Sequence, residues 1–247
     1  MGRLRWYLAF IAALLLSSFV LYNLQINIFH RSGDTFFYFL QDMAFVPMQV
    51  LLVTLIVDRL LDKRERETML NKLNMVIGVF FSEAGIKFID LYLDFDSNGP
   101  ANRELFVINQ TWENKDFKRM LKTVKNLDYA IDVKNGDLKA FRDFLAGKRD
   151  LILRLLENPN LLEHESFSDL LWAISHLFEE LMFRKDLVGI SDVDAKHLSN
   201  DMKRVFSLML YEWFNYMNYL RLNYPYLYSL SIRTNPFDKN AAAELAR

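Results

Sequence analysis

Charged positions are unevenly spread along this chain. From Trp6 to Phe29 the run WYLAFIAALLLSSFVLYNLQINIF holds no Asp, Glu, Lys or Arg over 24 residues. At about 1.5 Å per residue, a helix of that length crosses the roughly 30 Å hydrocarbon core of a bilayer with some tilt. A second run, FFYFLQDMAFVPMQVLLVTLIV from Phe36 to Val57, carries Asp42 as its single charge. Both runs predict transmembrane helices. The rival for the first is a cleaved signal peptide, but its apolar stretch exceeds the ~7–15 residues of such a segment. No A-x-A-like cleavage site follows it either. The six residues HRSGDT, 30–35, predict a tight turn, so residues 1–57 read as a helical hairpin with spans at 6–29 and 36–57.

After Val57 the pattern changes to helical periodicity with charged faces. DRLLDKRERETMLNKLNMVIGVFFSEAGIKFIDLYLDF has no Pro, and Leu70, Leu73, Ile77, Phe80, Phe81, Ala84 and Phe88 recur at helical spacing. The charged collar Asp58–Glu67 continues the second span beyond the headgroups, as in a simple anchor or a rigid connection to the body. SNGP at 97–100 closes this helix. Further helices are predicted near 101–111, 114–129, 137–157, 166–184 and 192–223. Alternating strand patterns are lacking. Residues 58–247 therefore read as one all-α domain of five or six helices, and the fold class as a transmembrane helical hairpin followed by a cytoplasmic multi-helix bundle. Pro225 breaks the last helix, RTNPFD at 233–238 reads as a turn and tail, and AAAELAR reads as frayed.

Charge sets the orientation. Arg3 and Arg5 precede the first span, and Arg59, Lys63, Arg64 and Arg66 follow the second, against Arg31 alone in the turn. The positive-inside rule then places both termini in the cytoplasm. From Asp58 to Arg247 there are 27 Lys/Arg and 29 Asp/Glu, a net charge of −2, which argues against nucleic-acid binding. The chain has no cysteine, which excludes disulfide and thiolate chemistry.

The densest gathering of ionisable groups is LLEHESFSDLLWAISHLFEEL, 161–181. At 100° per residue, Phe167, Leu170, Ile174, Leu177, Phe178 and Leu181 fall on one side of a helix. Glu165, Asp169, Trp172, His176, Glu179 and Glu180 fall opposite, so this His/Glu/Asp set is first the polar face of an amphipathic helix. His176 with Glu179 or Glu180 could supply two metal ligands, but no second Glu-x-x-His pair completes a bridged site. Glu83 and Glu212 lie in apolar settings and are candidates for buried carboxylates; converging with His176, they would form a polar cluster. His164 and His197 read as solvent-exposed. Lys115, Lys118, Arg119, Lys122 and Lys125 line one face of a helix whose other face is Phe117, Met120, Leu121 and Val124. That basic face suits either solvent or the anionic headgroups of a bilayer. The aromatic run YEWFNYMNYLRLNYPYLYSL, 211–230, suits helix packing, a ligand wall or the headgroup belt.

Within the spans, Asp42 lies about two helical turns from the outer turn, where it can reach headgroups or Arg31. Gln49 can hydrogen-bond to Ser17 or Ser18, and Pro47 kinks the helix. Phosphate loops, nucleophile elbows, zinc spacings and kinase motifs are missing. LLEHESFSDLLWAISHLFEEL and YLRLNYPYLYSLSIRTNPF resemble segments of uncharacterised bacterial two-span inner-membrane proteins. That resemblance implies a prokaryotic membrane protein and carries no activity, cofactor or metal. The expectation is a bacterial inner-membrane protein whose helical domain serves interaction, scaffolding or signalling. Its partners would be the lipid bilayer and a protein or a second copy. A metal-dependent enzyme built on His176, Glu180, Glu83 and Glu212 is the alternative, as is an accessory transporter subunit relying on Asp42, Pro47 and Gln49.

Overall fold

The computed structural model describes residues 2–29, 32–161, 164–238 and 241–244. The architecture is all-α: 80% of the described residues are helical, and no strand forms among them. Two compact units divide it, Met1–Arg66 and Glu67–Arg247.

The N-terminal unit holds α1 (Gly2–Phe29) and the first part of α2 (Ser32–Phe80). Both helices are long and apolar enough to cross a membrane by length and composition. The expected turn over 30–35 is shortened, because α2 already includes Ser32–Thr35. Asp34 suits that first turn, where the helix dipole favours an acidic side chain. The helices touch where the Tyr22 and Phe39 rings meet edge-on with centroids 5.9 Å apart. Helix α2 runs through Pro47 and through the whole collar Asp58–Glu67. Asp42 and Gln49 are exposed on it. Arg31, the expected partner of Asp42, lies outside the described residues. Among the described residues no hydrogen bond joins Gln49 to Ser17 or Ser18.

The C-terminal unit begins with the last turns of α2. These pass through a π-helical turn, Phe81–Gly85, directly into α3 (Ile86–Leu93). A π turn accommodates one extra residue, which shifts the helical phase by about 100°. That shift keeps Phe88, Ile89 and Tyr92 on the buried stripe begun by Leu73, Ile77 and Phe80. Next come α4 (Gly99–Phe106), α5 (Asn114–Asn126), α6 (Leu138–Leu156), α7 (Glu165–Phe183), α8 (Asp192–Asn223) and α9 (Pro225–Arg233). The predicted helix over 101–111 thus ends early at Phe106, after which Val107 turns extended and buries Ile108 instead. Pro225 was expected to break or kink the last helix; the residues after it form a helix of their own, α9. Pro225 occupies its first position, where the missing N–H is no loss and the fixed φ is already helical. The described helices exceed the expected five or six, because the π turn divides the first of them and α9 forms as a separate short helix after Pro225. The fraying expected of the terminal segment AAAELAR falls partly on residues 245–247, outside the described residues.

Local chemistry starts these helices. Asp137 accepts a hydrogen bond from Ala140 N at the start of α6, and Ser191 one from Asp194 N at the start of α8. Glu113 and Asp116 form a reciprocal capping box at α5. The core is unusually aromatic. Phe88 packs edge-on against Phe141 and Phe144, Tyr92 stacks on Phe206, and Trp213 meets Phe81. Helix α8 is the central post, packing against α5, α7 and α9.

Candidate functional site

Helix α7 carries most of the candidate chemistry, and its burial follows the sequence period. Phe167, Leu170, Ile174, Leu177 and Leu181 are buried, whereas Glu165, Asp169, His176 and Glu179 are exposed and Glu180 is half-buried. The helix begins at His164, whose Nδ1 accepts from Phe167 N at 3.3 Å. An imidazole can accept there only when neutral. Its pKa is held below the usual histidine value, chiefly by burial. His164 was expected as an exposed residue in the loop or cap before the helix; it is the cap, and it is half-buried. Glu163 lies outside the described residues.

At its C-terminal end α7 is tied to α8 by Arg184. The guanidinium donates to Asp194 through Nε (3.1 Å) and Nη2 (2.6 Å). Its Nη1 donates to Glu180 Oε2 at 2.6 Å and to the Glu180 carbonyl. These charge-assisted bonds hold the Glu180 and Asp194 carboxyls below the usual carboxylate range. Beside them, Asp201 Oδ2 lies 3.4 Å from His197 Nε2 and 3.8 Å from His176 Nε2, and His197 Nε2 lies 3.8 Å from Glu180 Oε2. His176 therefore does gain a carboxylate neighbour, Asp201 of α8. Sequence reasoning missed Arg184, Asp194 and Asp201. The signal available was the Arg just past the helix end, followed ten residues on by an acid at a helix start.

The carboxylates proposed to join His176 do not do so. Glu83 is exposed (61%), with its Oε2 3.8 Å from Lys148 Nζ, which corrects its reading as a buried carboxylate. Phe81 and Ala84 turn inward from the π turn, leaving Glu83 on the outer side. Glu212 is buried (1%) on α8. Burial pushes its carboxyl up to about 7 against a Ser166 hydrogen bond and the Lys125 charge, both of which favour ionisation. Its Oε1 has no hydrogen-bond partner among the described residues. Among the described residues, no group of three His, Asp or Glu side chains could hold a metal ion; Glu180 is instead engaged by Arg184.

The basic helix α5 exposes Lys115, Lys118, Arg119, Lys122 and Lys125. Lys115 pairs with Glu113 and Arg119 with Asp116, while Lys125 sits over the Tyr211 ring, 4.4 Å from its centroid.

The outer face of α7 is not purely polar. Trp172 is 63% exposed and Phe183, at the helix end, 85%. Phe183 borders a groove of about 340 Å³ that runs between α6 and α7. Arg149, Leu153, Ser175, Glu179, Met182 and Phe183 are among its lining residues. Arg149 and Glu179, of opposite charge, are exposed there, and neither has an ion-pair partner among the described residues.

Two family models match this chain: the N-terminal helical domain of MJ1433 over residues 2–61, and the C-terminal helical domain of uncharacterized protein MJ1433 over 69–233. The chain belongs to the MJ1433 family. A relative described as uncharacterized protein MJ1433, from Methanocaldococcus jannaschii, is 40% identical over 237 residues. The match covers 96% of this chain and 95% of the relative. No solved structure matches. The family's division into an N- and a C-terminal helical part agrees with two all-helical units, and no catalytic function is evident in either. The family gives no support to a bacterial origin in particular.

Proposed function

We propose that this MJ1433-family chain is a membrane-anchored interaction module, with two spans over 6–29 and 36–57 and both termini in the cytoplasm. Its helical body pairs with a second copy of itself. The anchoring is supported by the two unburied apolar helices and by the Lys/Arg bias at their ends. The pairing rests on the outer face of α7. A protruding Phe183 and a groove lie on one surface, and that groove displays Arg149 and Glu179, neither of which has an ion-pair partner among the described residues. A two-fold contact sets each residue of a patch against the partner's counterpart surface. Arg149 of one copy then faces Glu179 of the other while Phe183 fills the opposite groove. The α5 basic face, where Lys118 and Lys122 have no ion pair among the described residues, is available to anionic headgroups.

Mass photometry and in-membrane crosslinking of the full chain test the pairing. Arg149→Glu or Phe183→Ser should shift dimer to monomer, and Arg149→Glu combined with Glu179→Arg should restore the dimer. A monomer at all concentrations, or a dimer indifferent to these changes, overturns the reading.

A further inference from the structure

A second surface, remote from the α7 groove in sequence, carries a different chemistry. Helix α9 buries Tyr228, while Tyr226, Leu227 and Leu230 stand exposed, and Leu222 at the end of α8 is exposed beside them in sequence. On a helical projection Tyr226, Leu227, Leu230 and Arg233 occupy one arc of about 120°. This apolar stripe is flanked by guanidiniums that neutral atoms hold. Arg221 donates to the side-chain oxygens of Asn114 and Asn218, and Arg233 to Ser229 Oγ and the Ala243 carbonyl. Among the described residues neither has a carboxylate partner.

The position of this patch within the C-terminal unit is fixed by two contacts of α8. Tyr216 lies against Gly78, where an added Cβ would meet its Oη at 2.8 Å. Further along α8, Tyr219 Oη donates to Asn71 Oδ1 at 3.4 Å. Moving toward the end of α8 therefore means moving back along α2, toward the point where the chain enters this unit at Glu67. The last turn of α8 and the start of α9, which follows it at Pro225, sit at that entry end. The first turn of α5 joins them through the Arg221–Asn114 bond, bringing Lys115 and Lys118 to the same end. Val57, the last residue of the second apolar run, precedes Glu67 by ten residues in sequence.

We infer that α9 and the end of α8 form a bilayer-docking surface: Tyr226, Leu227, Leu230 and Leu222 enter the headgroup region, and Arg221 and Arg233 bind anionic lipid phosphates. Tyrosine with apolar neighbours and flanking cations is the composition that settles at a membrane interface. The uncompensated guanidiniums favour an anionic lipid surface as the occupant over a neutral protein face. The inference rests on the membrane-anchored reading but concerns a surface that reading does not need.

The chain has no cysteine, so single Cys labels have no background. The full chain would be reconstituted in phosphatidylcholine vesicles with about 30% phosphatidylglycerol, with or without spin-labelled lipid that quenches a nearby fluorophore. Asn223→Cys, exposed at the end of α8, reports on docking without removing an apolar contact. Leu51→Cys reports on the span, and Val193→Cys, at the start of α8, serves as a solvent control. Docking predicts quenching at Asn223→Cys and none at Val193→Cys. Adding Leu227→Ser and Leu230→Ser should weaken the docked population about tenfold for each leucine removed. Each of Arg221→Gln and Arg233→Gln should weaken it about fivefold. An unquenched Asn223→Cys label beside a quenched Leu51→Cys label overturns docking and leaves the span standing. An unquenched Leu51→Cys label overturns the span, while the Asn223→Cys signal still decides docking. Quenching at Asn223→Cys that ignores both the Ser and the Gln pairs also overturns the inference, because the tether alone would then explain it.

Discussion

Glu212 gives the sharpest quantitative test of how the helical body is held. Its carboxyl is 1% exposed, and burial raises its pKa from an ordinary 4.5 to about 7. In the unfolded chain the group titrates near its ordinary value. Between pH 4.5 and 7 the folded state therefore holds a proton that the unfolded state has lost. Stability consequently falls as pH rises through that window, by about 1.4 kcal/mol per unit, and it levels off above pH 7. The whole penalty is about 3 kcal/mol. Glu212→Gln keeps the shape and removes the titration, so the stability gap between variant and wild type should widen by about 2–3 kcal/mol from pH 5 to pH 8, in favour of Gln. Chemical unfolding of the full chain in detergent, followed by tryptophan fluorescence at several pH values, measures that gap. His164 titrates with the opposite sign, since its depressed pKa makes stability rise with pH, but it does so equally in both proteins and cancels. A gap that stays constant from pH 5 to pH 8 would refute the reasoning, because Glu212 would then be ionised or solvated in the folded state.

Other substitutions probe separate parts of the frame. His164→Ala should cost about 1 kcal/mol by leaving Phe167 N without its acceptor, and His164→Asn should recover most of it, as read by thermal unfolding. Arg184→Ala leaves Glu180 and Asp194 facing each other unpaired; a loss of about 1–2 kcal/mol is expected, shrinking in high salt, which a denaturation series with added NaCl would show. Gly136→Ala drives a methyl to within 2.5 Å of the buried Phe95 ring, and a lower melting temperature equivalent to about 1–3 kcal/mol is expected; an unchanged melting temperature would mean the ring yields freely.

Much of the frame was legible because periodicity reports burial directly. The inner row of α7, from Phe167 to Leu181, and the basic outer row of α5 could both be drawn from the residues alone. The two apolar runs could be read from charge depletion. What escaped depends on geometry that spacing does not encode. Glu83 sits between apolar neighbours in sequence, yet its direction is decided by a local change of helical phase. Helix α9 was hidden by Pro225, which breaks a helix from inside but starts one from its first position. The Arg184 tie was missed because its partners, Glu180 and Asp194, belong to two helices whose meeting no single-helix pattern reveals. The outer face of α7 looked polar since Glu and His dominate its composition, although Trp172 and Phe183 are exposed there too.

The π turn at Phe81–Gly85 has a consequence for chain length. One residue more than a plain α-helix needs is absorbed there, and the buried stripe on either side is aligned only because of it. Removing one residue, such as the exposed Ser82, would let the segment relax into uninterrupted α-helix with Phe80 and Phe88 still facing inward. Removing two would turn the downstream row, Phe88, Ile89 and Tyr92, out of line by about 100°. Sequences that keep this packing should therefore differ in length here by one residue or not at all, making the turn a site of tolerated single-residue loss inside an otherwise length-intolerant helix.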